Sequence, residues 1–335
     1  MAALIPLYRH PTMTVLVDDD RSSLAILQHQ LEQTFARVGF SRARAALDWI
    51  RASFTTMRMD SPLALRYSEE ADDLVRPGSD MELDSIFRYV SDPQRFAVPT
   101  VVVIDYLMPD MDGVEFCKSV ADLPLKKIMF TSVGHDRVAI NAFNQGLIQR
   151  FIHKREPEAL DLLEEGIEAL QSDYFLRQSW SQVGTMEDPR YSFLSDEGVD
   201  ALVRDLCDRY GFVEHYLLSS PAGFIFFTED GHGTRLVLMT RDGLQDQAAA
   251  MLRMGADEDA VDDVQACRVV PFFHTPYGLW SDQLPGAAAD YCKAAQVCSG
   301  QQDYYWALFE LPAHYQKGHA YPHAQFLREH AASLP

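Results

Sequence analysis

The sequence predicts an α/β domain built on a parallel sheet, followed by a second, α+β domain with an antiparallel sheet. Three observations carry this. Met13-Thr-Val-Leu-Val17 is a short β-type run followed at once by a helical pattern, with Leu24, Leu27, Leu31 and Phe35 at spacings of three and four. In Pro99-Thr-Val-Val-Val-Ile104, Val101 to Ile104 are continuously apolar rather than alternating, as in a strand covered on both faces. Beyond residue 190, three β-rich runs follow one another through short turns, the signature of antiparallel hairpins.

The elements follow in order. After 13–17, Ser22 or Ser23 is expected to cap the first helix. Arg37-Val-Gly-Phe-Ser41 reads as a second strand and 43–53 as a second helix. Strand, helix, strand, helix implies parallel pairing with right-handed crossovers. Residues 55–98 break the rhythm. They are rich in acid, proline and glycine, with one helix expected at 81–90, and read as a surface insertion. The strand ending at Ile104 is followed by Asp105, a helix after Gly113, the strand Lys126–Ser132, a helix near 136–145 and the strand Arg150–Lys154. A last helix begins at Glu156-Pro157, with proline in its first turn. Its apolar residues Leu160, Leu163, Ile167, Leu170 and Tyr174 form a stripe able to pack on the sheet and continue as a linker or short coiled coil. The resulting plan is a first domain at 10–172, a linker at 173–190 and a second, C-terminal domain at 191–335. In the last, strands are expected at 215–220, 223–231, 234–240, 269–274 and 304–311, helix at 242–266, and an irregular then helical tail.

Composition limits the function. The chain has 335 residues and 47% hydrophobic content, enough for two cores. No apolar run reaches the ~18–20 residues of a membrane span, and the N-terminal segment lacks a basic region, so neither a membrane segment nor a signal peptide is expected. Five cysteines, an odd number without a tight pair, fit free thiols and a cytoplasmic location. The net charge is −20, and residues 191–335 carry 9 Lys and Arg against 20 Asp and Glu, a balance of −11. A DNA-binding surface needs a basic face, which argues against DNA as the target.

Ligand sites of parallel α/β sheets lie at the carboxyl ends of the strands. Those ends carry Asp18 and Asp19, Asp105, Thr131 and Lys154. Carboxylates gathered on one rim repel each other unless a cation sits among them. Mg2+ takes few carboxylates and keeps several waters, and it suits phosphoryl chemistry. Asp105 is the expected nucleophile, Lys154 the partner of the phosphoryl oxygens, and Thr131 a hydroxyl donor whose movement carries a signal.

The residues Val17-Asp18-Asp19-Asp20, Ile104-Asp105-Tyr106-Leu107-Met108-Pro109-Asp110-Met111-Asp112-Gly113, Thr131-Ser132 and Lys154 resemble the receiver domain of two-component response regulators over about 12–172. The resemblance implies a flavodoxin-like, doubly wound fold and phosphorylation at Asp105 by a histidine kinase or phosphotransfer protein. It implies Mg2+ held by Asp19, Asp105 and the carbonyl of Leu107 with support from Asp18, and Phe151 as the switch aromatic. The family places proline after the lysine, with a cis peptide; here Arg155 stands there. A non-proline cis bond costs ~3–4 kcal/mol, which favours a trans loop and a displaced Lys154.

No output signature occurs in 191–335: no basic recognition helix, P-loop, GGDEF- or EAL-type motif, or HD pair. Gly231-His232-Gly233-Thr234 sits in a hairpin and reads as a turn. His314, His319, His323 and His330 read as solvated tail residues, and Cys292 and Cys298 as free thiols. The layout is similar in outline to sensory domains of the PAS kind, and to quorum-sensing response regulators whose output lacks a helix-turn-helix. The favoured function is a phosphorylation-controlled regulator that dimerises or binds a protein or small ligand. The alternatives are a receiver-gated enzyme with its activity in 191–335, and a transcription regulator with an unrecognised DNA-binding surface.

Overall fold

Two large sheets organise the chain, one all-parallel and one all-antiparallel, in a computed structural model that describes residues 5–32, 34–56, 79–132, 141–183, 189–219, 221–275, 278–311 and 320–333. In chain order the elements are β1 (Tyr8–Arg9), β2 (Met13–Val17), α1 (Arg21–Gln30), β3 (Arg37–Phe40), α2 (Ala43–Thr56), α3 (Ser79–Val90), β4 (Pro99–Ile104), α4 (Gly113–Ser119), β5 (Lys126–Thr131), β6 (Arg150–His153) and α5 (Ala159–Val183). They continue with α6 (Glu197–Tyr210), β7 (Phe212–Ser219), β8 (Ala222–Thr228), β9 (Gly233–Thr240), α7 (Arg241–Arg253), α8 (Glu258–Gln265), β10 (Val269–Pro271), β11 (Cys292–Ala294), β12 (Gln296–Ser299), β13 (Asp303–Glu310) and α9 (His323–Ser333).

These elements form two units that are not simple blocks of sequence. In their described residues, one is His10–Met59, Pro93–Gln178 and His323–Pro335. The other is Met1–Arg9, Asp60–Asp92 and Ser179–Pro322.

The first unit carries the parallel sheet, in the order β3-β2-β4-β5-β6. Every residue of β4 is buried, as its unbroken apolar run predicts. Leu16, Val101, Val103 and Ile128 from the sheet close against Leu24 and Leu27 of α1 and Leu163 and Ile167 of α5. Burying each such side chain stabilises by ~1.5–3 kcal/mol. The cap of α1 is not Ser22 or Ser23. It is Asp20, whose side chain accepts from the Ser22 amide at 2.9 Å. An aspartate does this as well as a serine and adds charge at the positive helix end. The helix α9 also belongs to this unit, its Phe326 and His323 packed on Phe96 of the 3-10 turn Pro93–Ala97.

The second unit carries the antiparallel sheet, in the order β1-β7-β8-β9-β13-β12. Its hairpin β8–β9 is closed by the turn at Gly231, where φ is +78°, as the glycine-rich sequence predicts. The helical stretch expected at 242–266 is two helices, parted at Gly255 with φ +77°. Helix α6 lies outside the expected elements, although its signals are regular. Asp196 caps it, Val199, Val203 and Leu206 are buried, and Gly211 ends it in the left-handed conformation. The short strands β1, β11 and β12 were also unforeseen.

Residues 55–98, expected as a surface insertion, are corrected in their described part. The helix α3 buries Leu83, Ile86, Phe87 and Val90. Phe87 meets Phe227 of β8 at 5.7 Å and Tyr89 meets Tyr216 of β7 at 5.9 Å, so α3 is a structural layer of the antiparallel unit. The stretch 173–190, expected as a linker, is helical as far as Val183. Of the helix expected near 136–145, residues 141–144 are helical and 133–140 lie outside the described residues. Among the described residues no helix is long and apolar enough to cross a membrane.

Candidate functional site

Strands β2 and β4 are neighbours with Val17 opposite Ile104, so the residues that follow each lie side by side. The Asp105 amide donates to the Val17 carbonyl at 2.9 Å and carries the ladder one residue past the strand. Asp18 and Asp105 thus leave the same edge of the sheet, and Asp19 follows Asp18. One carboxylate oxygen from each of Asp18, Asp19 and Asp105 lies within 4.8 Å of the others.

Lysine 154 enters this cluster from the end of β6. Its amide donates to the Thr131 carbonyl at 2.9 Å, extending the β5–β6 pairing to the same rim. Its Nζ lies 2.6 Å from Asp18 Oδ2 and 3.2 Å from Asp105 Oδ2. Its ammonium also stands 5.8 Å from the centre of the Phe130 ring. The substitution of proline by Arg155 does not keep the lysine from the site. The Arg155 amide donates to His153 Nδ1 at 3.1 Å, a bond that proline, lacking the N–H, has no means to form.

The three carboxylates differ in surroundings. Asp18 is buried, Asp105 half-buried and Asp19 exposed. Asp18 Oδ1 accepts from the Asp20 amide at 3.0 Å, and Asp105 Oδ1 accepts from the Tyr106 amide at 2.7 Å. The carboxyl of Asp19 is held above its ordinary range, first by lost hydration and then by the neighbouring charges of Asp18 and Asp105. An acidic cluster of this kind, with hard oxygen donors and one exposed member, suits Mg2+.

Thr131 ends β5 and is almost wholly buried. Leu107 lies in the loop after Asp105 with its side chain half exposed. Phe151 lies in β6 opposite Met129, half-buried. His323 and His330, expected as solvated tail residues, lie instead on α9, His323 buried. His314 and His319 lie outside the described residues.

Three features between Asp105 and α4 leave no pattern in the sequence. A Cβ at Gly113 would stand 2.5 Å from the Asp105 carbonyl oxygen, so only glycine lets α4 start this close to Asp105. Asp112 caps α4 by accepting from the Glu115 amide at 2.8 Å. Asp110 accepts from the Arg44 amide in the first turn of α2 at 3.2 Å, tying the loop to a second helix. Beside Lys154 a groove of about 500 Å³ opens between α1 and the start of α5, lined by Ser23, Ile26, Leu27, Phe130 and Leu160.

Among solved structures, the Legionella pneumophila response regulator LqsR is similar over its whole length, with 27% identity across 98% of this chain and 97% of that one and a TM-score of 0.77. The chain shares the fold of a response regulator. The likeness takes in both units, the antiparallel sheet as well as the parallel one. An adenylate cyclase from Rhodopirellula baltica (21% identity, 52% of this chain and 96% of that one, TM-score 0.35) and a Francisella response-regulator receiver domain (15%, 48% and 98%, 0.31) are similar too distantly to add to this. No family model matches the chain, and no curated protein matches it in sequence.

Proposed function

We propose that this response regulator is switched by phosphorylation of Asp105, with a histidine kinase or phosphotransfer protein as donor and Mg2+ as cofactor. The observation that carries the reading is the bridge of Lys154 Nζ to both Asp18 and Asp105 at the rim where Asp19 also points. The donor set fits the ion: Asp19, Asp105 and the Leu107 carbonyl would hold it, with Asp18 in support. When bound, Mg2+ supplies positive charge beside the transferring phosphoryl group.

The chain's own groups do the rest. Asp105 Oδ attacks phosphorus; the bond from phosphorus to the donor nitrogen breaks, and the leaving nitrogen keeps the electron pair. Lys154 turns from Asp105 to the new phosphoryl oxygens, as a charge-assisted partner. Thr131, next to the lysine's strand, donates its hydroxyl to one of them, and Phe151 follows as the switch aromatic. The output is altered pairing of two copies, or contact with a protein or small ligand. The −11 balance of residues 191–335 speaks against DNA. All five cysteines are free thiols, which suits the cytoplasm.

The test is incubation of the full chain with acetyl phosphate and Mg2+. The wild type gains acid-labile phosphate, and Asp105→Asn gains none. Equal labelling of the variant, or none of the wild type, rejects the reading. Sedimentation before and after labelling then reads the change in pairing.

A further inference from the structure

Helix α9 presents an unusual face to the parallel-sheet unit. His323, Phe326 and His330 stand at spacings of three and four, so they form one stripe along the helix. An apolar stripe is the ordinary seam, yet here two of three positions are histidine. His323 is 2% exposed, and among the described residues its Nε2 has no hydrogen-bond partner. Its ring packs on Phe96 at 4.9 Å, Phe326 packs on the same ring at 5.4 Å, and His330 stacks on Phe326 at 5.5 Å. The ring of His10 lies 6.3 Å from that of Phe96, edge to face.

We propose that α9 is a proton-sensitive latch on the parallel-sheet unit, seated while His323 is neutral and released when it is charged. The groups around the stripe are Arg95, whose guanidinium lies 3.8 Å from the Phe96 ring centre, His10 ahead of β2, Arg37 at the start of β3, and His330 on α9 itself. A proton on His323 adds a positive charge beside Arg95, in a buried place with the Phe96 ring as neighbour. It also sits at the first residue of α9, where the helix dipole opposes positive charge. Burial, and then Arg95, accordingly hold the seated imidazole down at about 4 from an ordinary 6.5. Released, the ring returns to water and to its ordinary value.

The sign follows from linkage. The released form binds the proton more tightly, so acid favours release, most steeply between pH 6.5 and 4. From pH 7 to 5 this one histidine weakens seating by ~20-fold. The seat is the 3-10 turn Pro93–Ala97 that leads into β4, the strand whose other end carries Asp105. Acid therefore reaches the phosphoacceptor strand from its amino end, as a second input.

Hydrogen exchange of the full chain at pH 7 and 5, corrected for the intrinsic rate, tests the latch. Wild-type α9 amides lose ~20-fold of their protection relative to pH 7 while β2, β4 and β5 keep theirs. In His323→Phe, which keeps an uncharged ring, α9 holds its protection at pH 5, and His323→Gln does the same. Loss of α9 protection in the variants equal to wild type overturns the proposal. So does loss of α9 and the strands together, or release of α9 from both variants already at pH 7.

Discussion

At the scale of single residues, the site depends on how closely backbone approaches backbone. Gly113 is the clearest case, because its missing Cβ makes room for the Asp105 carbonyl. Gly113→Ala forces that contact apart and is expected to destabilise the chain by roughly 1–3 kcal/mol, read as a lower melting temperature. It also slows labelling of Asp105, since the carboxylate rides on the displaced backbone. Residue types and their order were legible in the sequence here: Asp18, Asp19, Asp105, Thr131 and Lys154 were assigned to one rim, and the structure gathers the three carboxylates and the lysine there. The role of Gly113 as a spacer was not legible, because a close approach depends on two segments whose distance no local pattern states. Lys154 was expected to shift because Arg155 replaces proline. It reaches both carboxylates all the same.

At the scale of elements, caps decide where helices begin and what they hold. Asp196 is buried and binds three amides: Gly198 at 2.9 Å and Val199 at 3.4 Å in α6, and Gln301 at 2.7 Å in the β12–β13 turn. Asp196→Ala leaves the buried Val199 amide and two part-buried amides without this acceptor and loses the cap, and a cost of ~1–3 kcal/mol is expected, read from the urea midpoint. The helix α3 offers a second test. Phe87→Ala removes the ring that meets Phe227 and is expected to cost ~3 kcal/mol. The loss should appear as faster hydrogen exchange in β7 and β8, with the parallel strands unaffected. The sequence located α3 to within two residues but placed it on a surface loop. Its stripe of Leu83, Ile86, Phe87 and Val90 announces a buried face without naming the sheet that buries it. The strands β11 and β12 escaped notice for a related reason: they are short and largely exposed, so they leave no run of apolar residues.

At the scale of the whole molecule, acid stability is set by histidines held neutral inside. In the antiparallel unit His215 is buried and its Nε2 donates to the Pro6 carbonyl at 3.0 Å. Burial holds the ring down at about 4, against the pull of that hydrogen bond and with help from Arg9. The unfolded chain, with an ordinary 6.5, binds the proton more readily between those values. Stability is therefore full above pH 6.5 and lost as pH falls toward 4, by about 2 kcal/mol at pH 5. Denaturant midpoints at pH 7.5 and 5 read this loss, and His215→Gln is expected to shrink it. Both fold classes were legible from periodicity, parallel from the buried run of β4 and antiparallel from the hairpin turns. Which segments serve which unit was not, since His323 and Tyr8 carry no mark of the partner they find.

That sharing of segments bears on how the chain can be divided. Here, among the described residues, the antiparallel unit takes 5–9 from ahead of the parallel sheet, and the parallel unit takes 323–333 from beyond the antiparallel one. A recombination breakpoint anywhere between those two segments leaves each half lacking a piece encoded on the other side of the cut. Neither unit is one uninterrupted stretch of the sequence, so neither can be cut out complete as a single segment.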